Sequence, residues 1–314
     1  MKLWWHKLNH WEYWPAYIIY MPTVFLWFGF MIRFRSFRFY CKSNPAFKNG
    51  GLIDDGKKSI YDLMPDNLYP KTVLISTDTV YDFNEIISNN NFSFPLIVKP
   101  DVGLRGIGVQ KINNIESLIA YRDFIKKDFL IQEQCNYPNE IGLFYCRFPS
   151  QKNGTITGIT IKKFLTITGD GIHTIHDLLL LNPRYEMQIP KLRTQMNLDE
   201  VLPLGIERCL VPFGNHNRGT EFLDGKYLIT PELIKTFDAI LNKITGFYYG
   251  RLDIRYDNFK DLEAGKNFKI IEINGAKSEP THIYDPKHSL WYAQKEIFRH
   301  QKLFYRVVLE SYKQ

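Results

Sequence analysis

The stretch Gly250-Arg251-Leu252-Asp253-Ile254-Arg255-Tyr256, with Lys269-Ile270-Ile271-Glu272-Ile273-Asn274 after a polar interval, decides how this chain is read. Side chains two apart on a strand share a face, so Arg251, Asp253 and Arg255 point one way and Gly250, Leu252 and Ile254 the other. The interval Asp257–Lys266 joins the two strands as an antiparallel hairpin. With its turn centred near residue 262, Asp253 falls opposite Glu272, within about 5 Å across the two strands if the register holds. Glu272 and Asn274 then share the face of Asp253, while Ile271 and Ile273 join the buried side. Two carboxylates placed side by side repel unless a cation or proton intervenes. A solvated charged face is the competing reading, and the aliphatic character of both strands argues against it. Asp253, Glu272 and Asn274 are therefore read as a metal site. Hard oxygen ligands with few side chains suit Mg²⁺ (or Mn²⁺), whose other positions go to water and phosphate oxygens.

Upstream, Leu96-Ile97-Val98 reads as a short buried strand ending at Lys99-Pro100. A glycine-rich stretch follows, with Gly103, Arg105, Gly106 and Gly108, and then a second strand over Val109–Ile112. The glycines thus join two strands, an order that excludes the dinucleotide fingerprint, in which they must open a helix. Lys99 beside a loop of free backbone N–H groups is a reasonable phosphate clamp. Asn113 with Glu116 reads as a capping box opening a helix, and Phe129-Leu130-Ile131 as a strand ending in Gln132-Glu133. Farther on, Gly142–Phe148 and Thr155–Thr168 read as strands, with Thr174 and Asp177 capping a short helix. Thr230 as cap, Pro231 in the first turn and Gly246 beyond the end mark the clearest helix in the chain.

At 314 residues with 45% hydrophobic and 23% charged residues, the chain is folded and globular. Cys41, Cys135, Cys146 and Cys209 form no C-x-x-C pair, which excludes a disulfide scaffold or structural zinc and makes the reducing cytoplasm the default. The net charge of +7 is read as solubility plus a locally basic N-terminus, with no nucleic-acid partner. Residues 1–56 stand apart. Tyr13–Ile32 has no formal charge, but Pro15 and Pro22 interrupt it. Trp4, Trp5, Trp11, Tyr13, Trp14, Tyr17 and Tyr20 prefer a headgroup boundary. Arg33, Arg35, Arg38 and Lys42 would each gain roughly 1 kcal/mol near anionic lipid. No small-residue cleavage pattern follows, so a removable signal peptide is not expected. A membrane-surface anchor on the inner face of the cytoplasmic membrane is the expectation. A segment docked on the protein's own body and a true span are the alternatives. Asn44-Pro45 and Asn49-Gly50-Gly51 mark turns and a boundary near 43–56.

Taken in order, Ile97-Val98-Lys99-Pro100 with its glycine loop, Glu133 and Glu140, Gly250-Arg251-Leu252-Asp253 and Glu272-Ile273-Asn274 resemble the ATP-grasp superfamily, in particular its carboxylate–amine ligases such as D-alanine–D-alanine ligase. Gly169-Asp170-Gly171-Ile172-His173-Thr174-Ile175 resembles a segment of ligases related to cyanophycin synthetase. The resemblance covers roughly residues 57–285. It implies an α+β fold of two subdomains with mainly antiparallel sheets enclosing the nucleotide: an N-terminal lobe over 57–133 and a C-terminal lobe over 134–314.

The resemblance further implies that Lys99, Lys57 and the loop Gly103–Gly108 hold ATP phosphates. Residues from Glu133 would meet adenine, Glu140 the ribose, and one of Lys162 and Lys163 the γ-phosphate. Asp253, Glu272 and Asn274 would bind magnesium, and Arg251 would stabilise charge as an acyl phosphate is attacked. Lys277, Ser278, Glu279 and His282, directly after Asn274, are the expected substrate contacts; His173 and His176 are further polar candidates. The implied activity is ATP-dependent joining of a small-molecule or lipid-linked carboxylate to an amine. A departure lies at the front of the chain, because residues 1–56 do not read as the α/β domain with which these ligases usually begin. A kinase using the same nucleotide site, and a nucleotide-binding scaffold without turnover, are the alternative functions.

Overall fold

The computed structural model describes residues 2–53, 55–103 and 106–314. Helices α1 (Lys2–Asn9), α2 (Ala16–Phe34) and α3 (Lys57–Tyr61) precede the first strand. A first sheet then forms from β1 (Thr72–Ile75), β2 (Leu96–Pro100), β3 (Gln110–Ile112) and β4 (Phe129–Glu133), with α4 (Phe83–Asn89) and α5 (Ile115–Ile125) interleaved in sequence. Its spatial order is β1-β4-β2-β3, and every pairing is antiparallel. Phe83 of α4 and Leu118 and Tyr121 of α5 share a core with Leu96, Val98, Phe129 and Ile131. The N-cap of α5 is Asn114, one residue after the expected Asn113: its side chain accepts from the Ser117 amide.

The chain continues with β5 (Asn139–Cys146), β6 (Thr155–Lys163) and β7 (Leu165–Thr168). Next come α6 (Ile175–Leu180), α7 (Pro183–Glu186), α8 (Ile189–Leu192), β8 (Glu207–Val211) and β9 (Glu221–Asp224). It closes with α9 (Pro231–Leu241), β10 (Tyr249–Tyr256), α10 (Phe259–Glu263), β11 (Phe268–Asn274) and α11 (Leu290–Ser311). Five of these strands make an antiparallel sheet in the order β11-β10-β5-β6-β9. The stretch read as one strand over 155–168 is two: after Lys163 the chain leaves the large sheet, and β7 pairs with β8 in a small sheet of its own. That sheet and α6–α8 enclose a separate apolar cluster of which Leu165, Ile175, Leu179 and Leu202 are part. The interval 257–266 is not all linker, since α10 lies within it.

The hairpin of β10 and β11 pairs Asp253 with Glu272 and Arg251 with Asn274, then slips: Ile254 stands opposite Ile270. The extra residue is Ile271. A bulge displaces the alternation locally, so Ile270 and Ile273 join Leu252 and Ile254 in the large core. Ile271, expected on that buried side, instead lines the cleft.

The N-terminal segment packs against the body. Ile19 is buried with Ile283, Ala293 and Ile297, a contribution of about 1.5–3 kcal/mol for a fully buried aliphatic side chain. Trp27 stacks on Phe304 at 5.3 Å and donates from Nε1 to Gln301 Oε1 at 2.8 Å. Phe34 stacks on Tyr312 at 5.1 Å, and Trp11 Nε1 donates to the His288 carbonyl at 2.9 Å. The expected boundary near 43–56 carries turns but is wedged against β10. There the fully buried Asn44 side chain accepts from the Tyr248 and Tyr249 amides, each at 2.9 Å, and donates to the Tyr249 carbonyl at 2.8 Å.

Candidate active site

A cleft of about 850 Å³ opens between the four-stranded and five-stranded sheets. Lys57, Lys99, Gly103 and Gly106 line it on one side, and Lys162, Arg251, Asp253, Glu272 and Asn274 on the other. Its polar floor follows from strand register. On one face of the large sheet, Arg255 of β10 pairs with Glu140 of β5, and Asp253 pairs with Gly142. Gly142 has no side chain to separate the neighbouring strands: a Cβ there would come within 3.2 Å of Arg251 Cδ and 3.5 Å of Asp253 Oδ1. Lys162 of β6 therefore reaches across β5 to Asp253.

The resulting network is continuous. Lys162 Nζ donates to Glu140 Oε1 at 2.7 Å and lies 3.1 Å from Asp253 Oδ2. Arg251 Nε donates to Asp253 Oδ1 at 3.0 Å, and Arg255 Nε to Glu140 Oε2 at 2.9 Å. Burial alone would raise the Asp253 carboxyl, but the Arg251 guanidinium and the Lys162 ammonium hold it below the ordinary carboxylate range. Burial likewise opposes charge on Lys162, and Asp253 and Glu140 more than offset it, so its pKa is raised. Arg251 Nη1 also donates to the Glu279 carbonyl at 3.3 Å, and its backbone amide to Ser278 Oγ at 3.0 Å.

On the opposite side, Lys99 Nζ donates to Tyr61 Oη at 2.9 Å and to Gln132 Oε1 at 3.0 Å. Tyr61 in turn donates to the carbonyl of the bulged Ile271. Gln132 Nε2 continues the chain to Thr72 Oγ1 at 2.7 Å. Burial pushes the Lys99 ammonium down to about 8, although Glu272 and Asp101 oppose the shift. Lys57 is also lowered by burial. Its ammonium donates to the Pro100 and Asp101 carbonyls, each at 3.0 Å, tying α3 to the start of the glycine loop. Gly106 and Gly108 hold φ of +70° and +78°, a region that side chains disfavour.

The remaining expected site residues divide. Glu133 lines the cleft while its carboxylate accepts from the Lys71 amide at 2.9 Å. Lys277, Ser278 and Glu279 also line it. Arg105 lies outside the described residues. Lys163 is turned away by strand alternation: its ammonium is exposed and sits 3.5 Å from Glu221. His282 is not in the cleft either; it is buried against Gly158, with Nε2 3.2 Å from Glu296 Oε2. His173 is exposed and paired with Asp170 at 2.6 Å.

Among the described residues no group of three His, Cys, Asp or Glu side chains gathers, so the candidate metal set is two carboxylates and an amide. The Glu272 carboxylate and the Asn274 side-chain amide make no hydrogen bond and no ion pair among the described residues. Such free oxygen donors, beside the Asp253 carboxylate, fit a hard divalent cation.

Sequence reasoning missed the wall contributed by the N-terminus. Glu12, Tyr13, Trp14, Pro15 and Ala16 line the cleft. Glu12 Oε2 is held by Arg184 Nη2 at 2.7 Å and lies 3.0 Å from His216 Nε2. A signal existed: Glu12 is the sole acidic residue in the first fifty-three, an anomaly within an aromatic and basic segment. Tyr61 and Gln132 carried no comparable mark.

The fold is thus an α+β arrangement with antiparallel sheets on either side of the cleft. No family profile matches the chain, and neither does any curated protein. Among solved structures it is similar to D-alanine–D-alanine ligase of Bacillus anthracis at 13% identity and TM-score 0.44, over 82% of this chain and 67% of that one. It is similar to the VanG D-Ala:D-Ser ligase of Enterococcus faecalis at 14% and 0.43, over 79% and 61%. A bifunctional glutathione synthetase of Pasteurella multocida matches at 13% and 0.42, over 79% of this chain and only 35% of its own length.

Proposed function

We propose that this chain is an ATP- and Mg²⁺-dependent carboxylate–amine ligase, organised as an N-terminal segment (1–56), a phosphate-loop lobe (57–133) and a metal-site lobe (134–314). The observation that supports it most is the facing of Lys57, Lys99 and the glycine loop across one cleft from Lys162, Arg251, Asp253, Glu272 and Asn274. In this reading Lys99 and Lys57 hold the α- and β-phosphates, and Lys162 meets the γ-phosphate. Residues from Glu133 hold adenine, and Glu140 holds the ribose with the lone pairs that Lys162 and Arg255 leave free. Asp253, Glu272 and Asn274 would hold Mg²⁺, or Mn²⁺ in its place, which supplies neutralisation of phosphate charge. A substrate carboxylate oxygen attacks the γ-phosphorus and ADP leaves. An amine then displaces phosphate from the acyl phosphate, giving an amide and releasing one proton. Arg251 stabilises the oxygen charge that develops, and Lys277, Ser278 and Glu279 position the substrates. Placement and charge neutralisation do most of this chemistry, without a protein nucleophile.

We also place the protein peripherally on the inner face of the cytoplasmic membrane, with small-molecule or lipid-linked substrates; the aromatic and basic N-terminal segment supports this. A panel of carboxylate–amine pairs, screened with and without lipid for coupled ADP release, tests the activity. ADP release that needs both partners supports the ligase. Release that needs only an alcohol would make the protein a kinase, and ATP binding without turnover across the panel a scaffold.

A further inference from the structure

We infer that one face of α2 docks on an anionic bilayer, with the helix lying in the plane of the membrane and the mouth of the cleft seated at the lipid surface. This rests on the membrane placement proposed above and names the surface, the lipid charge and the orientation.

The helix is sharply two-sided. Ile19, Trp27, Phe30, Met31 and Phe34 pack into the body, chiefly against α11. Tyr17, Met21, Val24, Phe25, Phe28 and Ile32 are 52–72% exposed. Their spacing follows successive helical turns, so they form one continuous apolar stripe. Trp4 and Trp5, on α1, are likewise more than half exposed. Charge selects the partner. From Lys2 to Lys48, seven Lys and Arg stand against Glu12 alone, so this segment carries six of the chain's seven net positive charges. Arg33, Arg35 and Arg38, at and just beyond the end of α2, are exposed. An apolar stripe flanked by exposed cations matches an interface with anionic headgroups. An in-plane helix also keeps the inner contacts, including the Trp27–Gln301 hydrogen bond, that a span would have to break. Finally, Trp14, Pro15 and Ala16 line the cleft immediately before the stripe begins at Tyr17, so a docked α2 brings the opening to the lipid.

The test is co-sedimentation of the full chain with vesicles of phosphatidylcholine alone or mixed with phosphatidylglycerol, read without any turnover. Binding is expected to the mixed vesicles only. Replacing Arg33, Arg35 and Arg38 together by Ala should weaken it about a hundredfold. Phe25→Ser with Phe28→Ser should weaken it at least about tenfold, with the thermal midpoint unchanged because neither side chain is buried. Binding that ignores both sets of substitutions would overturn the α2 assignment while leaving the membrane placement standing. No binding to either vesicle would overturn both, as would a dimer that these substitutions dissociate, since the stripe would then be covered by a second copy.

Discussion

Lys162 Nζ stands 3.1 Å from the Asp253 carboxylate although β5 runs between their strands, because Gly142 leaves the intervening position empty. This pairing couples the residue proposed for the γ-phosphate to the residue proposed for the metal. The buried carboxylate is neutralised by Lys162 and Arg251. Binding of a cation and a triphosphate would let each side chain exchange its partner.

Removing Lys162 should be damaging twice over. Lys162→Met leaves Asp253 and Glu140 buried with one cation fewer, which costs about 3–5 kcal/mol for a broken buried pair. Chemical denaturation should show that loss, and ATP turnover should fall with it. Lys163→Met is the control: its ammonium is exposed and opposite Glu221, so stability should change by less than about 0.5 kcal/mol and turnover should stay the same.

Arg251→Ala should lower the rate of the chemical step about 10²–10³-fold, or about 2.7–4 kcal/mol, as loss of an oxyanion donor does elsewhere. Single-turnover kinetics reads this directly. A loss below about fivefold would leave Arg251 only its ion pair with Asp253 and its hydrogen bond to the Glu279 carbonyl.

The Lys99 ammonium, lowered to about 8, predicts a pH dependence with a definite sign. Between about 8 and the unfolded value near 10.4, the unfolded chain holds a proton that the folded chain has released, so folding stability rises with pH across that window. Nucleotide affinity moves the opposite way, because phosphate needs the ammonium. The KM for ATP should climb above pH of about 8 in the native chain, and in Lys99→Met it should be high already below that pH.

How much of this was readable in advance follows from which forces act locally. The Asp253–Glu272 register was legible, because a hairpin fixes its own pairing and alternation then assigns faces. The Ile271 bulge was not: its carbonyl is turned to Tyr61 Oη, about two hundred residues away in sequence, and no local pattern encodes that. Lys162 and Lys163 could not be separated from sequence, because alternation says that one faces the cleft without saying which. Pairing of β6 with β5 and β9 supplies the answer. The inward face of α2 was hidden for a similar reason. Its aromatics read as lipid-seeking, and only the approach of α11 shows that Trp27, Phe30 and Phe34 pack on Phe304, Tyr305 and Tyr312.

The central claim is that Asp253, Glu272 and Asn274 hold a divalent cation beneath a triphosphate, and Mn²⁺ electron paramagnetic resonance with ATP tests it most directly. The account predicts a protein-bound Mn²⁺–ATP signal in the native chain, retained in Lys163→Met and lost when Asp253→Asn and Glu272→Gln are combined in a variant that stays folded. An undiminished signal in that double variant would contradict it.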